Sequence, residues 1–315
     1  MDSYDREFQS IAHLAKEMGI GGTPLIEVYN SGVTRILAKL EYHNRFGSVK
    51  DRPAFFMINS MIMRGVLKRD MEIIEASSGN TGIAIAYISR LLGYRATILV
   101  PASSSIETRR LLKDSAQTVI EVEDENSRAG RINIDGALKV LSETMKEHPG
   151  RYVNLDQYSN PANFLSHYYT TGPEIIAAAG GIDCFVAGIG TGGTISGIGR
   201  YLKDLDWRIR VIAAEPTSDH HIQGLKNLSV SSTPGILKMN MGIIDEWIHV
   251  NDKMAQDGVR ELIRKGFEVG LSSGANYMAA KMIAEREKFK TIVTVFPDGS
   301  GKYMSLYRKL GILKD

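Results

Sequence analysis

Short apolar runs alternate along this chain with longer segments in which apolar residues recur at helical spacing. An alternation of strands and helices predicts parallel sheets with helices on both faces. The predicted fold class is therefore α/β, with open, twisted and mainly parallel sheets. The predicted segments are a strand and loop at 71–78, a helix at 82–93, a strand at 95–101, a helix at 105–116, strands at 118–123 and 184–190, a helix at 195–205 and a strand at 210–216.

The alternation is interrupted between the segments KEHPGRYVN and TTGPEI. This interruption predicts a domain junction near residue 150, and a length of 315 residues agrees with about two domains. Parallel α/β sheets usually hold their ligand at the carboxyl ends of the strands. The loops that follow the predicted strands are therefore the first place to look for function.

Composition narrows the class of protein. With 43% hydrophobic and 23% charged residues the chain is typical globular material, and its net charge of +2 gives no indication of a nucleic acid or an anionic membrane as partner. The apolar run at 175–182 is too short to span a bilayer. The first ten residues are charged and lack an apolar signal region, and the single cysteine, Cys184, permits no internal disulfide. We therefore expect a cytoplasmic protein.

The segment GIGTGGTISG at 188–197 follows an apolar strand and opens a helix. Its glycines leave the backbone N–H groups uncovered, and the start of the helix adds a partial positive charge. Such a loop is suited to a phosphate, to which Thr191 and Thr194 can add hydroxyl donors.

The same loop also matches the dinucleotide fingerprint. Gly188, Gly190 and Gly193 have the G-x-G-x-x-G spacing, and Glu215 follows about twenty residues on. By itself the loop is compatible with a dinucleotide, with a single phosphate, or with no more than a tight turn between strand and helix.

A second strand-loop-helix unit, EASSGNTGIAIA at 75–86, repeats these properties. Its loop offers hydroxyl groups and backbone donors at the start of a helix, which suit a second anion. The amide of Asn80 can donate or accept a hydrogen bond. Two such loops are harder to explain as helix capping than one. The polar and glycine positions of the loop are Ser77, Ser78, Gly79, Asn80, Thr81 and Gly82.

Lys50 lies between a glycine-serine turn and an apolar segment, PAFFMINSMIM, that predicts a buried helix. A lysine amine forms a Schiff base with a carbonyl group when its pKa is lowered. A cofactor with both an aldehyde and a phosphate would use Lys50 together with the loop at 190–194. Pyridoxal phosphate has both groups, whereas NAD would leave Lys50 and the serine-rich loop without a role.

These segments resemble the β-family, or fold type II, of pyridoxal-phosphate enzymes and, within it, the cysteine synthases. The motifs that carry the resemblance are GGTPLIEV, GSVKDRPA, SSGNTG, QYSNPANFLSHYYTTGPEI, GTGGT, HIQGL, GLSSGA and FPDGSGKYMS, and they follow the order of that family over nearly the whole chain. The resemblance implies two open, twisted, mainly parallel sheets of the tryptophan synthase β type. We expect a larger cofactor-phosphate domain of residues 1–42 and 152–315, and a smaller substrate-carboxylate domain of 43–151.

The resemblance also implies roles for individual residues. Lys50 is expected to hold the cofactor aldehyde and to transfer protons, Asn80 to bond the ring oxygen, and Ser272 to face the pyridine nitrogen. The expected phosphate ligands are Gly190, Thr191, Gly192, Gly193 and Thr194. The expected ligands of the substrate carboxylate are Ser77, Ser78, Gly79, Thr81 and Gln157.

The implied reaction is β-replacement, in which an activated serine and sulfide give L-cysteine through an aminoacrylate intermediate. The substrates are then an amino acid and a sulfur nucleophile. A cystathionine β-synthase-like enzyme, another β-replacement or β-elimination enzyme of this fold, and an NAD-dependent dehydrogenase remain as alternatives. The resemblance implies a homodimer, and no metal site is expected because His220 and His221 lack a third ligand at useful spacing.

The leaving group stays open. Lys226 follows the segment HIQGL, which borders the active site in the resembling family. A lysine there is either a cation that pairs with the phosphate of O-phosphoserine or a residue of the solvated surface. With O-acetylserine as substrate no cation is required.

Overall fold

The computed structural model describes residues 3–123 and 134–313. Its strands contain the apolar runs identified above, and several are buried along their whole length because helices cover both faces of the sheets. The strands are β1 (Leu25–Asn30), β2 (Arg35–Leu40), β3 (Glu72–Ala76), β4 (Arg95–Pro101), β5 (Thr118–Val122), β6 (Tyr152–Asn154), β7 (Cys184–Gly188), β8 (Arg210–Pro216), β9 (Glu246–Val250) and β10 (Thr291–Phe296).

The helices between these strands carry the apolar faces that cover the sheets. Within residues 3–123 and 134–313, none of them combines the length and the apolar character that crossing a bilayer requires. The α-helices are α1 (Ser3–Glu17), α2 (Asp51–Met63), α3 (Asn80–Leu91), α4 (Ile106–Ser115), α5 (Asp135–Glu147), α6 (Ala162–Ser166), α7 (Gly172–Ala179), α8 (Gly193–Leu205), α9 (Gly235–Asn240), α10 (Asp252–Arg264), α11 (Leu271–Arg286) and α12 (Met304–Lys309).

The strands form two sheets, as expected. The larger sheet has the order β1-β2-β10-β7-β8-β9 and the smaller one the order β5-β4-β3-β6. All pairs are parallel except β1 with β2, which is antiparallel. The prediction of an α/β fold with mainly parallel sheets is confirmed.

Most of the predicted elements are present with small shifts of their ends. Strands β4 and β8 have the predicted bounds, whereas α3 begins at Asn80, two residues before the predicted start at 82. Gly93 follows α3 with φ +74°, the left-handed conformation that ends a helix at glycine. Ser105 caps α4 by accepting a hydrogen bond from the Thr108 N–H at 3.1 Å.

The expected boundary between the two domains needs adjustment at residue 151. Strand β6 pairs with β3 through Glu72↔Tyr152 and Ile74↔Asn154, so the smaller sheet continues to Asn154. Helix α1 also packs against the apolar cluster of the smaller unit, through Phe8 and Ile11. Residues 1–2, 124–133 and 314–315 of the expected domains lie outside the described residues.

Candidate active site

A cavity of about 640 Å³ is lined by residues that follow the carboxyl ends of strands from both sheets, such as Ser77 after β3 and Gly190 after β7. It connects Lys50, the serine-rich loop and the glycine-rich loop, and a smaller cavity of about 50 Å³ adjoins it around the glycine-rich loop. Predicted residues that line the larger cavity are Lys50, Ser77, Ser78, Gly79, Asn80, Thr81, Gln157, Gly190, Thr191 and Lys226. Those that line the smaller one are Lys50, Asn80, Gly190, Thr191, Gly192, Gly193, Thr194 and Ser272.

Lys50 immediately precedes α2 and is half-buried. Its backbone is fixed, because the Val49 N–H donates to the Pro297 carbonyl at 2.7 Å and the Lys50 N–H donates to Ser48 Oγ at 3.2 Å. Its Nζ makes no hydrogen bond or ion pair with any residue that the structure describes. Burial lowers the pKa of Lys50 to about 8, although the negative charge of Asp298 opposes this shift. An amine in this state is available as a nucleophile near neutral pH.

A buried ionic cluster supports the turn that carries Lys50. The Arg52 guanidinium donates to both carboxylate oxygens of Glu41, at 2.7 and 2.8 Å, and to both of Glu174, each at 2.7 Å. The Lys39 ammonium lies 2.7 Å from Glu174 Oε2 and balances the second carboxylate. Because two positive charges meet two negative ones in fixed geometry, the start of α2 is tied to β2 and α7.

The serine-rich loop is organised by its own side chains. Ser77 Oγ accepts hydrogen bonds from the N–H groups of Gly82, at 2.9 Å, and Gly79, at 3.3 Å. The Thr81 hydroxyl donates to Gln157 Oε1 at 2.8 Å, which joins the loop to the segment after β6. The predicted carboxylate ligands therefore lie together in one wall of the cavity.

The glycine-rich loop is held by close backbone packing. A Cβ atom at Gly190 would lie 2.3 Å from the Gly224 carbonyl oxygen, and one at Gly193 would lie 2.0 Å from Asn163 Oδ1. Gly192 has φ +82°, which favours glycine. The loop therefore admits no side chain at these positions, and its backbone lies at the start of α8.

Two neighbours of this loop were not predicted as site residues. Asn163 Nδ2 donates to Thr191 Oγ1 at 3.2 Å, and the Gly193 N–H donates to the same oxygen at 3.2 Å. His167 Nε2 lies 3.3 Å from Thr194 Oγ1, and burial, together with Arg52 and Lys50, holds the pKa of His167 well below its usual value. The spacing of 27 or 28 residues between the partners gives no local signal in the sequence.

Ser272 occupies the second position of α11. It is buried and lines the smaller cavity. Lys50 lines the same cavity. The segment GLSSGA had indicated this position only through resemblance, since a serine near the start of a helix is otherwise a common feature.

A hydrogen-bond network around Asn80 was also not foreseen. Asn80 Nδ2 donates to Asp298 Oδ2 at 2.8 Å, and the Tyr303 hydroxyl donates to the same oxygen at 2.5 Å. The Lys302 ammonium donates to Asn80 Oδ1 and lies 3.7 Å from Asp298 Oδ2. The network joins the serine-rich loop to the segment after β10, more than 200 residues away in sequence.

Lys226 lies in the wall of the larger cavity and is half-buried. Its ammonium is 4.4 Å from the centre of the Tyr158 ring, a cation–π contact. Burial lowers the pKa of Lys226, and the charge of Asp135 opposes the shift. The ammonium makes no hydrogen bond or ion pair with residues 3–123 or 134–313.

Glu215 does not lie where the dinucleotide interpretation needs a free acid. Its Oε1 accepts a hydrogen bond from the Leu228 N–H at 2.7 Å, and its Oε2 lies 3.6 Å from His249 Nδ1. The Glu215 carboxylate therefore holds the segment around Leu228 against the end of β8 by a hydrogen bond. It is absent from the residues that line either cavity.

These features agree with the chemistry of an aldehyde cofactor that carries a phosphate. The structure provides a half-buried amine without a protein partner, at Lys50, and a cradle that Cβ atoms at Gly190 and Gly193 would fill. A glycine-rich backbone at the start of a helix is suited to a phosphate. The residues present therefore fit pyridoxal phosphate.

Comparison with known proteins gives a consistent result. A family model described as "Pyridoxal-phosphate dependent enzyme" matches residues 16–298. The cysteine synthase of Aquifex aeolicus is 40% identical over 299 residues, which cover 91% of this chain and 89% of that protein.

Two solved structures share the fold at similar levels of identity. The crystal structure of cysteine synthase from Entamoeba histolytica has a TM-score of 0.85 and 34% identity, and the match covers 97% of this chain and 91% of that one. The O-acetylserine dependent cystathionine beta-synthase from Helicobacter pylori has a TM-score of 0.83 and 31% identity, with coverage of 92% and 96%.

Proposed function

Since the chain belongs to the family of pyridoxal-phosphate dependent enzymes, we propose that it is a cysteine synthase, which forms L-cysteine from an activated serine and sulfide by β-replacement. Pyridoxal 5'-phosphate is its cofactor, and the dinucleotide interpretation of the loop at 188–193 is wrong. The observation that carries the proposal is the convergence of the free Lys50 amine, the glycine-rich loop and the serine-rich loop on one cavity.

When bound, pyridoxal phosphate supplies an aldehyde that condenses with amines and a ring that accepts the electron pair left by a departing α-proton. Lys50 would hold that aldehyde. Its amine lies in the cavity wall, where burial lowers its pKa to about 8, and it would be available as a base once the substrate is bound. It then removes the α-proton and later returns it, a role typically worth about 10² to 10⁴-fold in rate.

The serine-rich loop binds and orients the substrate. Hydroxyl groups and N–H groups at the start of α3 are suited to a carboxylate, and we assign this contact to Ser77, Ser78, Gly79 and Thr81. Gln157 joins them, because its side chain already bonds the Thr81 hydroxyl. A carboxylate fixed at this wall keeps the α-carbon at a constant place relative to Lys50.

The cofactor phosphate is held at the glycine-rich loop. The phosphate ligands we assign are Gly190, Thr191, Gly192, Gly193 and Thr194, which form the cradle at the start of α8. We assign the hydrogen bond to the ring oxygen to Asn80 and the contact with the pyridine nitrogen to Ser272. A serine hydroxyl, unlike a carboxylate, does not force that nitrogen to stay protonated, which favours β-elimination over transamination.

Product analysis tests the proposal against its alternatives. The holoenzyme is given O-acetylserine with sulfide, with homocysteine, or with no nucleophile. Cysteine in the first mixture, at a rate far above that of the other products, supports the proposal. Cystathionine from homocysteine as the main product would favour the reaction named for the Helicobacter pylori relative, and pyruvate without a nucleophile would favour β-elimination.

The position of Lys226 supports O-phosphoserine as an alternative substrate to O-acetylserine. A half-buried ammonium in the cavity wall without an anionic hydrogen-bond partner among the described residues can pair with a phosphate leaving group. A purely solvated lysine would not contact the Tyr158 ring inside the cavity.

Replacement of Lys226 by Ala tests this assignment. We expect the ratio of kcat/KM for O-phosphoserine to that for O-acetylserine to fall on the order of tenfold, the effect of one charged hydrogen bond. Lys238→Ala serves as a matched control because Lys238 is exposed and outside the cavity lining. An unchanged ratio in Lys226→Ala would show that Lys226 does not contact the leaving group.

We also propose a cytoplasmic homodimer. The only cysteine, Cys184, is buried in β7, where burial raises the pKa of its thiol, so the chain needs no oxidising compartment. The homodimer rests on the resemblance alone. Sedimentation equilibrium of the holoenzyme would give twice the chain mass of 34.7 kDa if the proposal holds and the single mass if it does not.

A further inference from the structure

Asp298 is a buried carboxylate beside the Lys50 turn, with a relative exposure of 1%. Its Oδ2 accepts hydrogen bonds from Asn80 Nδ2 at 2.8 Å and from the Tyr303 hydroxyl at 2.5 Å. Its Oδ1 has no hydrogen-bond partner among the described residues. Burying a carboxylate without a partner is unfavourable in free energy. The position of this carboxylate therefore indicates a role in the adjoining cofactor site.

Lys302 supplies the opposite charge to this carboxylate. Its side chain is 12% exposed, and its ammonium lies 3.7 Å from Asp298 Oδ2. The same ammonium donates a hydrogen bond to Asn80 Oδ1. The two charged residues therefore contact the two ends of a single amide group, the carboxylate at its nitrogen and the ammonium at its oxygen.

This arrangement fixes the rotation of the Asn80 amide. If the amide turned by half a rotation, its oxygen would face the Asp298 carboxylate and its N–H groups would face the Lys302 ammonium. Both contacts would then be repulsive. In the observed rotation Asp298 takes one hydrogen of Asn80 Nδ2, which leaves the second N–H for a ligand in the smaller cavity, whose wall includes Asn80.

We propose that Asp298 and Lys302 are positioning residues that lock the Asn80 amide as a hydrogen-bond donor toward the cofactor. The inference rests on the proposed role of Asn80, which must donate because the ring oxygen of the cofactor is an acceptor. A buried charged pair of this kind favours one orientation of the polar group that lies between its members. The lock also joins the serine-rich loop to the chain that follows β10.

Asp298→Asn is the stronger test, since it keeps the side-chain shape but allows Asn80 to rotate. We expect the dissociation constant of pyridoxal phosphate to rise on the order of tenfold, the loss of one charge-assisted hydrogen bond. We also expect weaker circular dichroism of the bound cofactor in the visible range, because its ring is then held in more than one orientation.

Lys302→Met should also raise the dissociation constant of pyridoxal phosphate and weaken the visible circular dichroism, by a smaller factor than Asp298→Asn. Lys302→Arg should keep both quantities near their wild-type values because it keeps the charged donor. The matched control is an exposed lysine-aspartate pair with the same four-residue spacing, Lys253 and Asp257. Lys253→Met and Asp257→Asn should leave cofactor affinity and circular dichroism unchanged.

The alternative is that the pair only stabilises the fold. Asp298→Asn and Lys302→Met would then lower the melting temperature of the holoenzyme while the cofactor affinity and the visible circular dichroism stayed as in the wild type, and this result would overturn the inference. Wild-type protein that binds the cofactor but makes no cysteine would contradict the proposed reaction and leave this test intact.

Discussion

The two loops of the site have similar sequences but are built in different ways. In the glycine-rich loop, Cβ atoms at Gly190 and Gly193 would collide with neighbouring atoms at 2.3 and 2.0 Å. In the serine-rich loop a Cβ atom at Gly79 would meet no atom within 4 Å, and the closely packed glycine of this segment, Gly82, already lies within α3. There the shape depends on hydrogen bonds of the Ser77 and Thr81 side chains.

This difference matches the groups that we assign to the two loops. A cradle fixed by backbone packing is suited to a phosphate that stays bound through every catalytic cycle. A loop held by side-chain hydrogen bonds can exchange those bonds for a carboxylate that arrives and leaves, since each net hydrogen bond contributes only about 1 kcal/mol. Rigid packing thus corresponds to the permanent ligand and adjustable bonding to the transient one.

The largest expected effect comes from adding one methyl group to each loop. Gly193→Ala places a Cβ atom against Asn163 and should raise the dissociation constant of pyridoxal phosphate by at least about 100-fold, with a lower melting temperature. Gly79→Ala has open space and should retain the cofactor. Equilibrium binding and thermal denaturation of both variants measure the contrast.

Comparable cofactor affinity in Gly193→Ala and Gly79→Ala would contradict the distinction between a packed and an adjustable loop. A loss confined to Gly79→Ala would reverse the assignment of the two anions.

A reciprocal pair of threonine variants should separate the two ligands. Thr81→Val removes the hydroxyl that bonds Gln157 and should raise KM for the amino-acid substrate about tenfold with the cofactor affinity unchanged. Thr191→Val should instead weaken cofactor binding by a similar factor, because its hydroxyl organises Gly193 and Asn163. Steady-state kinetics and cofactor titration are measured for each variant. If either variant changed both the KM for the amino-acid substrate and the cofactor affinity, the two loops would not have separate roles.

The smallest expected effect concerns how the protonation of the Lys50 amine, which lines the same cavity as both loops, depends on pH. Burial lowers the pKa of Lys50 to about 8, so in the apoprotein the rate of recombination with pyridoxal phosphate should rise with pH, reach half its maximum near pH 8 and level off above that pH. Because the unfolded chain binds more protons than the folded one between this pKa and the ordinary lysine value, the stability of the apoprotein contributed by Lys50 should rise with pH through that window. A recombination rate that keeps rising to pH 10 would show an ordinary lysine.

The sequence predicted the parts of the site that lie in contiguous segments. Lys50, the loop 77–81 and the loop 190–194 each combine turn residues, hydroxyl groups and a following helix, so their chemistry is visible locally. The fold class followed from the alternation of strands and helices for the same reason.

The missed parts depend on contacts between distant segments. Asp298 and Lys302 meet Asn80 across more than 200 residues, and Arg52 meets Glu174 across 122. An isolated aspartate or lysine carries no sign of such a partner. For the same reason Glu215 had the spacing of a ribose ligand, although its carboxylate bonds the backbone of Leu228.

The most direct test of the account is to find which lysine holds the cofactor. The holoenzyme is reduced with borohydride and digested, and the peptides are analysed by mass spectrometry. The account predicts a pyridoxyl-phosphate adduct on Lys50 alone. An adduct on Lys226 or Lys302, which line the same cavity, or no adduct on any lysine, would contradict it.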